Sequence, residues 1–156
     1  MSPMAPSPFA SVEQQIMDND APFQPATRQR TIMLIDDSLA VRRIIEASFS
    51  RIGIPATTFP DGISAIQALA KREVAVPDLL LLDIGLPKMT GYEVAHILRG
   101  NPAFSDMIIV MLSGHDGMID RAHSWIVGAK VFIRKPFRVS EVIKTVCTLL
   151  QIPLPQ

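Results

Sequence analysis

Four points along the chain carry side chains able to do chemistry, and each one closes a run of apolar residues. Asp36-Asp37 follows Thr31-Ile32-Met33-Leu34-Ile35, and Asp83 ends Leu79-Leu80-Leu81-Leu82. Ser113 follows Met107 to Leu112, and Arg134-Lys135-Pro136 follows Val131-Phe132-Ile133. If the fold gathers these ends, three carboxylates meet and repel one another unless a cation sits among them. Mg²⁺ suits them best, because it is hard, prefers oxygen ligands and keeps waters that a phosphate can displace. Lys135 and the Ser113 hydroxyl then form a phosphate clamp.

The elements needed to hold such a constellation are legible in the apolar patterning. Four consecutive leucines suit a strand covered on both faces, as in a parallel sheet flanked by helices. Gly85 and Pro87 break that strand and open a loop. Ser38 can cap a helix whose stripe is Val41, Ile44, Ile45, Ser48, Phe49 and Ile52, ended by Gly53. Pro55 to Phe59 forms the weakest strand, and its proline points to a sheet edge. Asp61-Gly62 starts a second helix with Ile63, Ile66 and Leu69 facing inward.

After the leucine strand come Thr90-Gly91 and a helix through Tyr92, Val94, Ala95 and Leu98, closed by Asn101-Pro102. Met107 to Leu112 is the fourth strand, followed by a helix around Met118 to Val127 and a stop at Gly128. Val131 to Ile133 is the fifth strand, and the last helix runs from Ser140 to about Leu150. Five β-α units with short loops predict an α/β, doubly wound five-stranded parallel sheet. In the order 2-1-3-4-5 the switch point falls between strands one and three, so Asp36, Asp37 and Asp83 converge there.

Composition sets the outer limits. The chain has 156 residues, 48% of them apolar, and 15 basic residues balance 15 acidic ones. That balance supplies no electrostatic reason to expect nucleic acid or an anionic membrane as partner. One cysteine, Cys147, cannot make an intramolecular disulfide, which points to a reduced, cytoplasmic setting. No apolar run reaches the ~18 residues of a spanning helix. The amino-terminal stretch, with Pro3, Pro6, Pro8, Pro22 and Pro25, reads as a mobile leader. Phe9, Val12, Ile16 and Met17 recur at helical spacing within it, so a short helix docking on a partner or on this chain is the alternative.

The set Asp36-Asp37, Asp83, Ser113 and Lys135-Pro136 on five β-α units resembles the receiver domain of two-component response regulators. Asp83 lies 46 residues after Asp37, Ser113 lies 30 further on, and Lys135 follows 22 later. The resemblance implies a flavodoxin-like receiver fold over residues 30–156, with residues 1–29 as the leader. The stretches Met111 to Gly117 and Ile126 to Ala129 resemble single-domain, chemotaxis-like regulators of the twitching-motility and phototaxis type.

The resemblance also implies roles. Asp83 takes a phosphoryl group from a phosphohistidine on a histidine kinase. Asp37 and Asp83 bind Mg²⁺ directly, Asp36 acts largely through water, and the Gly85 carbonyl is a further ligand. Lys135 pairs with Asp83 before phosphorylation and with the phosphate after it. Ser113 then swings toward the phosphate, Phe132 turns inward, and the Lys135-Pro136 bond is cis. Such a protein assists only its own phosphorylation and dephosphorylation, and is otherwise no enzyme. With Gln156 soon after the last helix, the expected output is contact with a downstream protein effector, through the fourth helix, fifth strand and fifth helix.

Three features depart from the family pattern. Gly85 stands where many relatives carry a side chain that screens the phosphoryl group, Leu86 replaces a common methionine, and Phe132 lacks the hydroxyl of the commoner tyrosine. Each site residue also has a plainer role alone: Asp36 as a helix cap, Asp83 as a turn former, Ser113 as a loop hydroxyl, Lys135 as a surface charge. Two other functions compete. One is a haloacid-dehalogenase-like phosphohydrolase with Asp36 attacking, although Asp36-Asp37-Ser38 differs from the Asp-x-Asp such enzymes carry. The other is a degenerate receiver acting as a constitutive binding module. His96, His115 and His123 lack metal-ligand spacing, and Trp125 suits core and partner surface equally.

Overall fold

The computed structural model describes residues 28–114 and 128–156. Residues 1–27 of the expected leader lie outside them, as do the expected helix around Met118 to Val127, His115, His123 and Trp125.

Five strands form one sheet: β1 (Ile32–Ile35), β2 (Ala56–Phe59), β3 (Leu79–Asp83), β4 (Ile108–Ser113) and β5 (Val131–Arg134). All pairs are parallel and the order is β2-β1-β3-β4-β5. The described helices are α1 (Leu39–Arg51), α2 (Gly62–Ala70), α3 (Gly91–Arg99) and α4 (Val139–Leu150), with a 3₁₀ turn at Pro102–Phe104. The strand after Pro55 is the edge strand, as its proline predicts.

The leucine strand shows why the sheet is covered twice. Successive side chains of a strand point to opposite faces. Leu80 and Leu82 enter a core with Ala65, Leu69, Val94, Ala95 and Leu98 from α2 and α3. Leu79 and Leu81 enter a second core with Ile45 and Phe49 of α1 and Val142, Val146 and Leu150 of α4. Cys147 belongs to this second core, fully buried, and burial raises its thiol above the ordinary value.

Side-chain caps set where α1, α2 and α3 begin. The Ser38 side chain accepts from Val41 N–H, Asp61 from Ser64 N–H and Thr90 from Glu93 N–H. Below the sheet, Asp78 ties down the start of β1: it accepts Thr31 N–H at 2.9 Å and pairs with Arg28 and Arg30.

Two expected inward stripes need correction. Ile44 is 50% exposed, because the buried line of α1 is Ile45 and Phe49, one helical step away. With Val41, Pro136 and Phe137, Ile44 lines a groove of about 490 Å³ beside Lys135. Ile63 is exposed too, and α2 instead buries Gly62, Ala65, Ala68 and Leu69. Small residues win there because α2 and α3 approach closely: a Cβ on Gly62 would lie 2.3 Å from Val94 Cγ2.

Candidate functional site

Register brings the chemical groups together. Ile35 pairs with Leu82, so the next residues, Asp36 and Asp83, leave the sheet side by side. Asp83 pairs with Leu112, which places Ser113 one step beyond, and Ser113 pairs with Arg134 just before Lys135. The Lys135 N–H donates to the Ser113 carbonyl at 2.7 Å, fixing the lysine's starting point. The Lys135-Pro136 peptide is cis.

Among the described residues, Asp36, Asp37 and Asp83 each offer a carboxylate oxygen, all within 4.8 Å of one another. Asp36 is fully buried and Asp83 nearly so, whereas Asp37 faces solvent. The Lys135 ammonium bridges the two buried acids, 2.6 Å from Asp36 Oδ2 and 3.3 Å from Asp83 Oδ2. Asp36 Oδ1 accepts Ser38 N–H at 2.9 Å, and Asp83 Oδ1 accepts Gly85 N–H at 3.0 Å.

Burial, and then the charge of Asp36, push the Asp83 carboxyl above the usual 3.8, with Lys135 and the Gly85 N–H pulling partly back. Burial alone would depress Lys135, but the hydrogen bond and charge of Asp36, then the charge of Asp83, hold it above 10.5. Three carboxylates against one ammonium leave net negative charge at the sheet rim. The donor set is all oxygen and opens to water at Asp37, which fits a hard divalent cation that keeps part of its hydration shell.

Ser113 is buried at the end of β4. Phe132 is half-buried on β5, opposite Met111, and packs against the core under α2 and α3. Gly85 is exposed, and a Cβ there would meet nothing nearer than Asp83 Oδ1 at 3.8 Å. Sequence reasoning missed two residues. Arg42 Nη1 donates to the Asp36 carbonyl at 2.8 Å, and an arginine on the first turn of a helix carries no mark of that contact in the sequence. Gly91 N–H donates to Ile84 O at 3.0 Å, and a Cβ on Gly91 would lie 2.4 Å from the carbonyl oxygen of Asp83.

The pattern of the response regulator receiver domain matches residues 32–147. The chain belongs to the response regulator receiver family. Protein PilG of Pseudomonas aeruginosa is 33% identical to this receiver over 112 residues, 72% of the chain and 81% of PilG. Response regulator MprA of Mycobacterium tuberculosis is 31% identical over 125 residues, 80% of the chain but 52% of MprA. A probable transcriptional regulator of Galdieria sulphuraria is 36% identical over 115 residues, 74% of the chain and 43% of that relative. The receiver thus spans about half the length of most relatives it matches, and PilG is the fuller match.

Among solved structures, the receiver protein of Burkholderia phymatum superposes with a TM-score of 0.71 at 29% identity, covering 81% of this chain and 99% of that one. Chemotaxis response regulator CheY4 of Vibrio cholerae gives 0.69 at 26%, covering 78% and 98%. The receiver is a phosphorylation-activated signalling switch of the two-component class, rather than an enzyme acting on metabolites. Relatives named as transcriptional regulators share this domain, so its neutral charge does not exclude nucleic acid from the output.

Proposed function

We propose that Asp83 is the phosphoacceptor of this receiver, with Lys135 and Ser113 as its clamp and Asp36, Asp37 and Asp83 as its cation site. The observation that carries the reading is the Lys135 ammonium bridging Asp36 and Asp83 beside the exposed carboxylate of Asp37. An Asp83 carboxylate oxygen attacks the phosphorus of a phosphohistidine as the P–N bond breaks. The electron pair leaves with the imidazole of the donor kinase, and an acyl phosphate remains on Asp83. The transition state is loose, so the protein's task is alignment and charge neutralisation. Asp37 and Asp83, with the Gly85 carbonyl, would hold Mg²⁺, which supplies positive charge to the carboxylates and phosphoryl oxygens. Asp36 holds Lys135 and would add its negative charge to the cation site.

The acyl phosphate adds nearly two negative charges at one point. Lys135 and the Ser113 hydroxyl gain a partner present only in that state, which is the differential contact a two-state switch requires. Ser113 moves toward the phosphate and Phe132 turns from half-buried to buried. The readout is a changed surface for a downstream protein effector, and the setting is the cytoplasm, where a histidine kinase presents its phosphohistidine. No helix among the described residues is long and apolar enough to cross a membrane.

Incubation with acetyl phosphate and Mg²⁺, followed by intact mass and peptide mapping, tests the reading. A gain of one phosphoryl group at Asp83, abolished by Asp83→Asn and by chelation, is the expected result. Label on Asp36 would indicate the phosphohydrolase chemistry, and no label would indicate a constitutive binding module. Comparing proteins captured with and without beryllofluoride identifies the state-dependent effector.

A further inference from the structure

The geometry points to Arg42 as a positioning residue for the cation site, an inference that rests on the phosphoacceptor reading above. Arg42 lies on the first turns of α1, half-buried, and its guanidinium donates to the Asp36 carbonyl at 2.8 Å. That carbonyl belongs to the peptide plane joining Asp36 to Asp37. The rest of Asp36 is also held: its N–H donates to Phe59 O at 3.1 Å, Oδ1 accepts from Ser38 N–H and Oδ2 from Lys135. Arg42 thus completes the restraint at the atom on which the orientation of Asp37 turns. Asp37 is the exposed member of the carboxylate trio, and the direction of its side chain follows from the plane behind it.

Arginine suits this task because its guanidinium stays charged and its planar fork loses little freedom per bond made. A charge-assisted bond to a carbonyl is also stronger than a neutral one. Two physical effects of Arg42 on a cation oppose each other. Its positive charge repels an incoming divalent ion, so on charge alone removal would tighten binding. Its hydrogen bond preorients a ligand, so on geometry alone removal would weaken binding. Partners that orient metal ligands commonly matter by tenfold or more, which makes geometry the stronger effect at this half-buried position.

The test uses the full chain, with Mg²⁺ binding followed by titration calorimetry and the metal-free backbone amides by NMR. Arg42→Ala is expected to weaken Mg²⁺ about tenfold. Its metal-free spectrum is expected to shift at Asp37 and Ser38. Arg42→Lys, which keeps the charge and part of the reach, is expected to recover part of the affinity; it carries the test alone if the alanine variant does not fold. Unchanged or tighter Mg²⁺ binding in a folded variant overturns the inference and leaves the phosphoacceptor reading intact. A wild-type chain that binds no Mg²⁺ overturns both. A drop in melting temperature with Mg²⁺ affinity untouched would assign Arg42 to the scaffold and likewise overturn it.

Discussion

Lys135 lies closer to Asp36 than to Asp83: 2.6 Å separates its ammonium from Asp36 Oδ2 and 3.3 Å from Asp83 Oδ2. The buried Asp36 therefore holds the lysine more closely than Asp83, the proposed phosphoacceptor, does. Removing Lys135 leaves Asp36 buried and unpaired. Lys135→Ala should destabilise the metal-free protein by about 3 kcal/mol, the lower end for breaking a buried pair. Added Mg²⁺ should restore part of the melting temperature by supplying the missing charge. In the wild type, the raised Lys135 pKa means that this stabilisation is full below 10.5 and fades as pH rises through the folded value. Melting curves between pH 7 and alkaline conditions, for both proteins, check the claim.

Asp83 is shifted in the same direction but has the opposite consequence at neutral pH, where its charged form is disfavoured by the fold. Its folded pKa lies above the usual 3.8, so the native state binds more protons than the unfolded chain in the interval between the two. The contribution of Asp83 to stability is accordingly most favourable below 3.8 and falls as pH rises through the raised value. Asp83→Asn should be inert as a phosphoacceptor yet melt several degrees higher than wild type at neutral pH without metal. The gap should close on acidification. Equal melting temperatures at pH 7 would show that Asp36 and Asp83 do not strain the fold.

Gly85 is exposed and carries no side chain to screen Asp83, and its Cβ position is free of steric conflict. Gly85→Asn should fold normally and lengthen the lifetime of the acyl phosphate severalfold. The decay of the intact-mass signal after removal of acetyl phosphate measures it, and equal half-lives would sink the proposal.

Gly91 behaves differently. A methyl group there meets three atoms of one peptide unit: Asp83 O at 2.4 Å, Ile84 Cα at 2.9 Å and Asp83 C at 3.0 Å. Backbone cannot step aside as a side chain can, so Gly91→Ala should cost about 3 kcal/mol, the upper end for overpacking. It should also impair phosphorylation, since the backbone of Asp83, the proposed phosphoacceptor, is among the atoms displaced. Urea unfolding and acetyl phosphate labelling read the two effects separately.

The fold was legible where one pattern had one solution. Four leucines ending in Asp83 can hardly be anything but a doubly covered strand, and alternation sends Leu79 and Leu81 to one core and Leu80 and Leu82 to the other. The carboxylates were legible because parallel register carries strand ends to a common rim. Ile44 and Ile63 were misplaced for a physical reason: hydrophobicity alone does not reveal which of two adjacent helical lines faces the sheet. Close helix approach also favours glycine and alanine over isoleucine. Arg42 was invisible because its partner is a main-chain carbonyl, and no side-chain pattern records that.

Cys147, sealed between α4 and the sheet, is the single thiol in the sequence. Its inaccessibility gives the molecule a blank exterior for sulfhydryl chemistry. A cysteine introduced at any outward-facing position becomes a uniquely addressable handle, so fluorophores or spin probes can follow the switch without first stripping the native residue.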